Sequence, residues 1–343
     1  MRIGVDAGDF VRDRRGMRRF VRLVLHTAAA HPGVTLELIS QRRGDGAALR
    51  GEFGPLAVRR PPGRKERSYD VVWYPWNGVH FPTAIPSLVT IYDVFAFEEP
   101  PRELLARWRE QGPLKRAARS AQKILTHSEW SRSRIALVLG VPPERVEVVL
   151  PMPDPFFTPG DAVGLPEALA GKRYVLFVAT REQRKNARTL IAACARALRG
   201  RDEMLAIIGK LPAQDAKFAK AIGVPIREGA VNDEALRALY RNAGVVAVPS
   251  TAEAFGLVAV EALACGAPVL AANTSSLPEA VGDAAQLLDP LDIEAWAREI
   301  RRLLDDPIDV MRLRASGAAR YAGVDRLEPA RRTLRLLFET AAA

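Results

Sequence analysis

Two glutamates with seven residues between them mark a stretch of the chain that is suited to binding a phosphate. Glu253 lies in a short turn of small residues after a strand-like run, and Glu261 lies about two turns of helix further along the chain. A helix start offers free backbone amides and a partial positive charge, so it suits a phosphate group. The pattern predicts carboxylates beside a phosphate-binding turn; the alternative is an ordinary helix start with two surface glutamates.

Glu261 is embedded in the apolar run 257–264. Burial of an unpaired carboxylate is costly, and this argues against a plain surface residue. A hydroxyl-rich ligand would supply the hydrogen bonds that the carboxylate needs. We therefore expect the two glutamates to point into one cleft, one near the reacting end of a ligand and the other near its far end.

Two adjacent cations, Arg184 and Lys185, follow another strand-like run. A guanidinium forms paired hydrogen bonds with phosphate oxygens and an ammonium acts as a point charge, so together they suit a diphosphate. Taken alone, an Arg-Lys pair before a helix is usually a surface pair.

Strand-like runs alternate with helix-like runs along the chain, which predicts parallel sheets covered by helices on both faces. The runs form two series of six: 3–7, 35–40, 70–76, 87–93, 123–128 and 146–150, then 174–180, 204–209, 226–231, 245–250, 268–273 and 284–289. We expect an α/β fold of two facing doubly wound, Rossmann-like domains. Ligands of such sheets bind beyond the carboxyl ends of the strands, so the site is expected in a cleft between two facing sets of strand ends. We expect this cleft to close on the bound ligands.

A segment rich in proline and glycine separates the two series and predicts the domain boundary. The first domain is expected over residues 1–157, a linker over 158–172 and the second domain over 173–326. The pattern of residues 327–343 predicts a final helix. The sequence leaves open which part of the protein this helix packs against, and the first domain is one candidate.

The second domain resembles the retaining, nucleotide-sugar-dependent glycosyltransferases of family four, which have the GT-B fold. Matching residues occur in the family's order over about 130 residues. They are Arg184-Lys185-Asn186, Leu239-Tyr240-Arg241-Asn242-Ala243, Pro249-Ser250, Glu253-Ala254-Phe255-Gly256-Leu257, Glu261-Ala262, Gly266-Ala267-Pro268-Val269, Asn273-Thr274-Ser275-Ser276-Leu277-Pro278-Glu279 and Asp289-Pro290.

The resemblance implies a donor site in this domain. Arg184 and Lys185 would hold the donor diphosphate and stabilise it as it leaves. Glu253 would lie close to the transferred sugar, and Glu261 would bind the nucleotide ribose. Backbone amides would come from Phe255, Gly256 and Leu257. Other donor-binding residues expected at strand ends are Thr180, Gly209, Lys210 and Ser250.

The first domain resembles the family more loosely. Gly16 matches a glycine of the family's first loop, and Arg18 stands where relatives often have a second glycine. Because glycine tolerates backbone conformations that arginine adopts less readily, the loop either takes another path or offers Arg18 to a phosphate. Tyr92 replaces the histidine of a His-Asp pair, while Asp93 stays a candidate catalytic residue; a polar strand end is the alternative. Gly16, Arg18, Tyr92 and His127 are expected on the acceptor side, although His127 also fits an ordinary hydrogen-bonded histidine.

Composition and motifs exclude several function classes. The chain has 50 Lys and Arg against 40 Asp and Glu, a net charge of +10 that attracts polyanions, anionic membranes and phosphate compounds alike. It has no helix-turn-helix, RNA-recognition or zinc-finger pattern, so we expect no nucleic-acid partner. The Gly-x-Ser-x-Gly elbow and the Walker loop are absent from the sequence. Its histidines and cysteines lack metal-ligand spacing, and family members work without a bound metal, so no metal or other cofactor is expected.

Residues 102–134 hold nine Lys or Arg against three Glu, together with Trp108 and Trp130. This segment is either a solvated helix face or a surface for anionic membrane lipid or a lipid-linked acceptor. The chain shows no span of about 20 apolar residues and no secretory leader. We expect a cytoplasmic protein, either free or peripheral at the inner membrane face.

These features predict a retaining glycosyltransferase that moves a hexose, with mannose and glucose both open, from a nucleoside diphosphate sugar to a hydroxyl acceptor. The acceptor classes left open are a polysaccharide, a lipid-linked glycan and a small-molecule precursor. The second domain is expected to bind the donor and the first the acceptor. A non-catalytic nucleotide-sugar-binding protein of the same fold is the alternative, favoured by Tyr92 and Arg18.

Overall fold

A computed structural model of the chain describes residues 1–12, 16–42, 44–224, 226–229 and 231–343. The chain divides into two compact units. Unit 1 comprises Met1–Met152 and Leu327–Ala343, and unit 2 comprises Pro153–Arg326. Each unit contains one parallel β-sheet with helices between its strands, which confirms the predicted α/β fold of two doubly wound domains.

Unit 1 is built on a seven-stranded sheet of order β3-β2-β1-β4-β5-β6-β7. Its strands are β1 (Arg2–Asp6), β2 (Thr35–Ile39), β3 (Ala57–Arg59), β4 (Val71–Tyr74), β5 (Ser87–Thr90), β6 (Lys123–Thr126) and β7 (Val146–Val148). Its helices are α1 (Met17–Ala29), α2 (Asp45–Phe53), α3 (Phe95–Glu98), α4 (Leu104–Ser120), α5 (Glu129–Leu139) and the last helix of the chain, Glu328–Ala342. The central strands β4 and β5 are buried along their whole length, as expected of a parallel sheet that is covered on both faces.

The last helix of the chain packs into the core of unit 1. Its buried Leu334, Leu336 and Leu337 belong to the same apolar cluster as Val24 of α1 and Val5 of β1. The carboxylate of Glu339 also accepts a hydrogen bond from Lys123 at 2.6 Å. Residues 327–343 are therefore part of unit 1 although unit 2 precedes them in the chain.

Unit 2 is built on a six-stranded sheet of order β10-β9-β8-β11-β12-β13. Its strands are β8 (Tyr174–Ala179), β9 (Met204–Gly209), β10 (Ile226–Gly229), β11 (Val245–Val248), β12 (Val269–Ala272) and β13 (Gln286–Leu288). Its helices are α6 (Ala187–Ala197), α7 (Ala213–Ala221), α8 (Asp233–Asn242), α9 (Leu257–Ala264), α10 (Leu277–Val281), α11 (Ile293–Asp305) and α12 (Pro307–Tyr321), so the last helix of the chain is α13. In both sheets, strands are first added on one side of the first strand and then on its other side. The strand order therefore reverses between β1 and β4 and between β8 and β11.

The predicted domain boundary and linker differ from the structure. The boundary lies at Met152/Pro153, and the expected linker 158–172 belongs to unit 2. Phe157 is fully buried, with its ring 5.9 Å from that of Tyr240, and Arg241 donates a hydrogen bond to the Thr158 carbonyl at 2.7 Å. Proline and glycine correctly indicated irregular backbone, but these contacts hold the segment on one unit.

The first turns of α4 expose three large apolar side chains. Leu104, Leu105 and Trp108 are 78%, 75% and 71% exposed. Trp130, expected on the same surface, is half-buried with its ring 6.2 Å from that of Phe95. Within the described ranges, no helix is long and apolar enough to cross a membrane.

Candidate functional site

Two turns meet at the carboxyl end of the unit 2 sheet. A short 3-10 turn, Gln183–Lys185, follows β8, and a loop from Pro249 to Gly256 follows β11. Because β8 and β11 are parallel neighbours, both turns leave the sheet at the same edge. The backbone N–H of Thr251 donates to the Arg184 carbonyl at 2.8 Å and joins the two turns directly.

Glu253 lies at the centre of this junction and is buried. One carboxylate oxygen, Oε1, accepts hydrogen bonds from Lys185 Nζ at 2.5 Å and from Ser250 Oγ at 2.7 Å. The other, Oε2, accepts from the Arg184 guanidinium at 3.3 Å. The structure thus brings together four residues predicted for the site, Arg184, Lys185, Ser250 and Glu253, in one ion cluster.

Electrostatics keep the Glu253 carboxyl ionised. Burial alone would raise its pKa, but the charges of Lys185 and Arg184 and the hydrogen bonds from Lys185 and Ser250 outweigh burial and hold the pKa below its ordinary value. Arg184 also forms an ion pair with the more exposed Glu182 at 2.5 Å, so two carboxylates balance the two cations of the cluster. Lys185 and Arg184 nevertheless offer several charged hydrogen-bond donors to an anion at the sheet edge.

Asn186 holds the cation-bearing turn in place. Its backbone is left-handed, with φ of 53°, and its side-chain amide donates to the carbonyls of Pro249 at 3.0 Å and Pro290 at 2.7 Å. The sequence motif contained Asn186, but its positioning role was not predicted. Asparagine tolerates the left-handed region, and this is the signal that could have found it.

The loop after β11 is held from its other side by two serines. The N–H of Glu253 donates to Ser275 Oγ at 2.9 Å, and Ser276 Oγ donates to the Glu253 carbonyl at 2.8 Å. Gly256, with φ of 92°, immediately precedes α9, and a Cβ there would lie 2.6 Å from a Leu277 methyl group. Only glycine fits this conformation and this approach. Of its neighbours, Phe255 is buried and Leu257 is half-buried.

Glu261 is buried on α9 and has a protein partner. The Tyr240 hydroxyl donates to its Oε2 at 3.3 Å, and the Tyr240 ring is itself fully buried. A ligand is therefore not needed to account for the buried carboxylate, which corrects that step of the sequence argument. The family motif included Tyr240, but nothing in the spacing of 21 residues paired it with Glu261.

The remaining predicted donor residues line two neighbouring strand ends. Thr180 follows β8, and its hydroxyl donates to Glu182 Oε2 at 3.1 Å. Gly209 ends β9 opposite Ala179, with φ of 110°, and the exposed Lys210 follows it. The structure places none of these three in hydrogen-bond contact with Glu253 among the contacts of the described residues.

In unit 1, the candidate residues at the ends of β5 and β6 are engaged within the protein. Asp93 accepts a hydrogen bond from the Phe95 N–H at 3.1 Å at the start of α3. The buried Tyr92 hydroxyl donates to the Pro75 carbonyl, and its ring stacks on that of His127 with centroids 5.4 Å apart. The replacement of a histidine by Tyr92 therefore yields an internal hydrogen bond and a stacking contact.

His127 is a buried, neutral histidine. Its Nδ1 lies 2.8 Å from the Val149 carbonyl and donates to it. Burial lowers its pKa to about 4, although the hydrogen bond to Val149 opposes this shift. Among the described residues, no partner is found for Nε2. These contacts match the ordinary hydrogen-bonded histidine that the sequence left open.

Arg18 and Gly16 lie at the start of α1. The Arg18 guanidinium forms an ion pair with Glu52 at 3.0 Å and lies 4.8 Å from the centre of the Phe10 ring. Gly16 directly precedes the helix. The rest of the predicted loop, residues 13–15, lies outside the described residues. Arg18 thus pairs with a carboxylate of the protein; a phosphate contact was one of the two alternatives that the sequence left open.

The sequence comparisons match unit 2 to a known family. Residues 166–320 match the family model described as glycosyl transferases group 1. The chain is 33% identical over 237 residues to the O-antigen chain mannosyltransferase B of Escherichia coli, an alignment that covers 64% of this chain and 61% of that protein. It is 32% identical to the MMP alpha-(1->4)-mannosyltransferase of Mycolicibacterium hassiacum, covering 61% of this chain and 52% of the relative. The chain therefore spans about half to three fifths of the length of these relatives.

Solved structures match nearly the whole chain in fold. The HepE protein of Anabaena in complex with UDP-glucose has a TM-score of 0.78 at 17% identity, covering 99% of this chain and 100% of the other. Sucrose-phosphate synthase from Thermosynechococcus elongatus has a TM-score of 0.74 at 22% identity, covering 100% and 99%. These likenesses confirm the predicted GT-B fold. The match of residues 166–320 to the model of the glycosyl transferases of group 1 agrees with the family resemblance predicted from the sequence.

Proposed function

We propose that this chain is a retaining glycosyltransferase that transfers a hexose from a nucleoside diphosphate sugar to a hydroxyl acceptor. Unit 2 binds the donor, and unit 1 binds the acceptor. The observation that carries the proposal is the ion cluster in which Lys185 and Arg184 flank the buried Glu253 beside the start of α9.

Lys185 and Arg184 bind the donor diphosphate and stabilise the charge that develops as the bond to the sugar breaks. Their hydrogen bonds to Glu253 and the surrounding turns hold them in place before donor binds, so little reorganisation is needed during reaction. Backbone amides at the start of α9 add a partial positive charge.

Glu253 acts as an ionised group, because its pKa lies below the ordinary value. Its role is to orient the two cations and to offer hydrogen-bond acceptors to the hydroxyls of the transferred sugar. Glu261 accepts a hydrogen bond from Tyr240 and offers its remaining acceptor capacity to the donor ribose.

The donor is a nucleoside diphosphate hexose. Two of the relatives are mannosyltransferases by name, and the Anabaena HepE structures hold UDP, UDP with glucose, or UDP-glucose. UDP and GDP sugars of glucose and mannose are therefore the first donors to test.

The proposal is tested by incubating the protein with each of these sugar nucleotides, with and without methyl α-mannoside or methyl α-glucoside as acceptor. We expect release of one nucleoside diphosphate that rises with acceptor, and an α-linked product by proton NMR because the donors are α-linked. A β-linked product would exclude retention. Nucleotide binding without any transfer or hydrolysis would favour the non-catalytic alternative.

The matched variants for this assay are Lys185→Ala and Arg181→Ala. Both remove one cation from the same turn region, but Lys185 contacts Glu253 whereas Arg181 is exposed. Lys185→Ala is expected to lower kcat/KM for the donor by about 100-fold, the effect of losing one preorganised charge contact. Arg181→Ala should change it less than about threefold.

The transfer needs no bound metal in this proposal, since the two cations of the cluster carry the diphosphate charge. Treatment with excess EDTA, followed by buffer exchange, should leave the transfer rate unchanged. Loss of activity that Mg²⁺ or Mn²⁺ restores would contradict this part of the proposal.

We further propose that the first turns of α4 contact an anionic membrane surface, where a lipid-linked acceptor would be found. Leu104, Leu105 and Trp108 are exposed, and the exposed Arg102 and Arg109 lie beside them. Such a face inserts apolar groups at the lipid boundary while its cations contact anionic headgroups. Arg116 and Lys123 are not part of this face, because they bond to the Val79 carbonyl and to Glu339.

Sedimentation with phosphatidylglycerol-containing vesicles tests this contact. Trp108→Ser should lower vesicle affinity about tenfold through lost apolar burial. Leu137→Ser is the matched control, since Leu137 is also 71% exposed but lies on α5. Equal binding of both variants and the wild type, or equal binding to pure phosphatidylcholine, would contradict the membrane proposal.

A further inference from the structure

A small polar cavity lies in unit 1 at the carboxyl ends of β1 and β2, apart from the residues predicted for the acceptor. Its volume is about 140 Å³, and its lining includes Asp6, Asp9, Arg12, Arg42 and His80. Pockets for drug-sized ligands measure roughly 300–1,000 Å³, so this cavity suits a single small group such as part of one sugar ring.

Asp6 and His80 form a fixed pair on one wall of the cavity. The buried Asp6 carboxylate accepts from the Gly8 N–H at 3.1 Å through Oδ1 and lies 3.0 Å from His80 Nδ1 through Oδ2. The Asp6 carbonyl accepts from the Trp76 indole N–H at 3.0 Å, and the His80 carbonyl accepts from Gln41 at 3.2 Å. Both backbone and side chain of the pair are therefore held by the fold.

The pair determines which nitrogen of His80 is available to a ligand. A carboxylate only accepts hydrogen bonds, so in the neutral ring Nδ1 carries the proton and Nε2 keeps its lone pair. The separation of 74 positions between Asp6 and His80 hid this pair from sequence reasoning. A histidine arranged in this way accepts a hydrogen bond from a hydroxyl group.

The charges around the cavity are balanced. Arg12 donates to Asp45 at 3.0 Å, and Asp45 in turn accepts from Ser40 at 2.7 Å, so Arg12 is held by the protein. The Arg42 guanidinium is exposed, and no ion pair is found for it in the described part of the chain. With two carboxylates and two guanidiniums in the lining, an ionic ligand gains little net attraction, whereas hydroxyl groups find both donors and acceptors.

We propose that this cavity binds neighbouring hydroxyl groups of a neutral sugar, one donating to His80 Nε2 and another accepting from Arg42. The sugar is the terminal unit of the acceptor, an assignment that rests on the proposed function. His80 is thereby a substrate-binding residue, and Asp6 is the residue that positions it.

The test measures binding of methyl α-mannoside and methyl α-glucoside to the full chain without donor, by saturation-transfer NMR titration. His80→Asn keeps a hydrogen-bond donor near the Nδ1 position but removes Nε2, whereas His80→Gln places an amide near Nε2. We expect at least one sugar to bind, a roughly tenfold loss of affinity in His80→Asn and partial recovery in His80→Gln. His26→Asn, at an exposed position on α1, should bind as the wild type does.

Binding of neither sugar, or equal binding to wild type and both His80 variants, would overturn the proposal. Mannose 6-phosphate that binds more than tenfold tighter than methyl α-mannoside, with the gain lost in Arg42→Ala, would overturn the assignment of a neutral ligand. The thermal midpoint with and without UDP or GDP is measured on the same samples. If a nucleotide raises the thermal midpoint but neither sugar binds, only the inference about this cavity is contradicted. If a sugar binds but no nucleotide raises the midpoint, the cavity is supported and the proposed donor site is contradicted.

If His80→Asn lowers the thermal midpoint, Arg42→Ala replaces it as the test variant, because Arg42 is exposed. The same roughly tenfold loss of sugar affinity is then expected. In transfer assays, the loss should raise the acceptor KM and leave the donor KM unchanged. A change in donor KM alone would contradict the assignment.

Discussion

Glu253 links the stability of unit 2 to the charge of its candidate donor site. Its carboxylate is buried yet ionised, because Lys185, Arg184 and Ser250 surround it with charge and hydrogen bonds. Its removal would leave two cations close together at a sheet edge. A bound diphosphate would supply negative charge at the same place, so stability and donor binding depend on one cluster.

Glu253→Gln should lower the free energy of unfolding by about 3 kcal/mol at pH 7, as expected when one member of a largely buried ion cluster is neutralised. The nucleoside diphosphate that stabilises the wild type should stabilise this variant more, since it supplies the missing negative charge. Urea denaturation with and without the nucleotide measures both effects. Wild-type stability in the variant would show that the cluster is not electrostatically coupled.

The pH dependence of Glu253 has a defined sign. Its folded pKa lies below the ordinary value of 4.5, so the unfolded chain takes up the proton first as the pH falls. The stabilisation is therefore complete above pH 4.5 and declines as the pH drops below it towards the folded pKa. Glu253→Gln should lack this contribution to the acid decline.

His127 gives a second pH dependence, in unit 1 and in a higher range. Its pKa falls from 6.5 to about 4 on folding, so the unfolded chain binds the proton first and stability drops as the pH falls from 6.5 towards 4. Between pH 7 and pH 5 this residue alone should account for a loss of about 2 kcal/mol. His127→Asn, which retains a donor for Val149, should lose that much less over the same interval in urea denaturation. Identical pH slopes would mean that folding does not lower the pKa of His127.

At the level of strands and turns, the sequence predicted most of the secondary structure that positions the site. All twelve predicted strands are present, because runs such as 71–74 and 245–248 are apolar without interruption and lie between turn residues. The edge strand β3 was missed, since its three residues Ala57–Arg59 include no buried position and show no apolar run. The strand-end clusters were located from the strands, but their internal pairings required the structure.

The pairings were hidden by distance along the chain and by packing. Glu253 and Lys185 are 68 residues apart, and only the neighbouring positions of β8 and β11 bring them together. Likewise, the hydrogen bonds of Glu261 to Tyr240 and of Tyr92 to Pro75 depend on which side chains fill the interior. Residue type predicted that these groups need partners, and the fold determined which partners they have.

Strand β9 ends in a backbone conformation that only glycine adopts easily. Gly209 has φ of 110°, and a Cβ there would overlap the Ala179 carbonyl oxygen of the neighbouring strand. Gly209→Ala should therefore lower the free energy of unfolding by about 3 kcal/mol. Gly229 ends the adjacent strand β10 with open space at its Cβ, so Gly229→Ala should change stability by less than about 0.5 kcal/mol. Equal losses in thermal denaturation would contradict the steric account.

Across the whole molecule, the chain passes through unit 2 before its last helix returns to unit 1. Leu336 on α13 is fully buried in the unit 1 core, whereas Leu327 just before the helix is 39% exposed. Folding of unit 1 therefore needs residues from both ends of the sequence. A local apolar pattern predicted the helix, but the pattern could not specify which core receives it.

Leu336→Ala should destabilise unit 1 by about 3 kcal/mol, the typical result of a buried leucine truncation. Hydrogen exchange followed by mass spectrometry should show faster exchange in the strands of unit 1 and unchanged exchange in β8 and β11 of unit 2. Leu327→Ala should leave both patterns unchanged. Faster exchange confined to unit 2 would contradict the placement of α13.

The central claim is that Lys185 and Arg184, held by Glu253, bind the diphosphate of a sugar donor. Calorimetric titration with UDP and GDP, for the wild type, Lys185→Ala and Arg181→Ala, tests it most directly. We predict that one nucleotide binds the wild type, that Lys185→Ala weakens it by about 10- to 100-fold through loss of a charge-assisted hydrogen bond, and that Arg181→Ala binds within about threefold of the wild type. Equal affinity in all three proteins, or no binding of either nucleotide to the wild type, would contradict the claim.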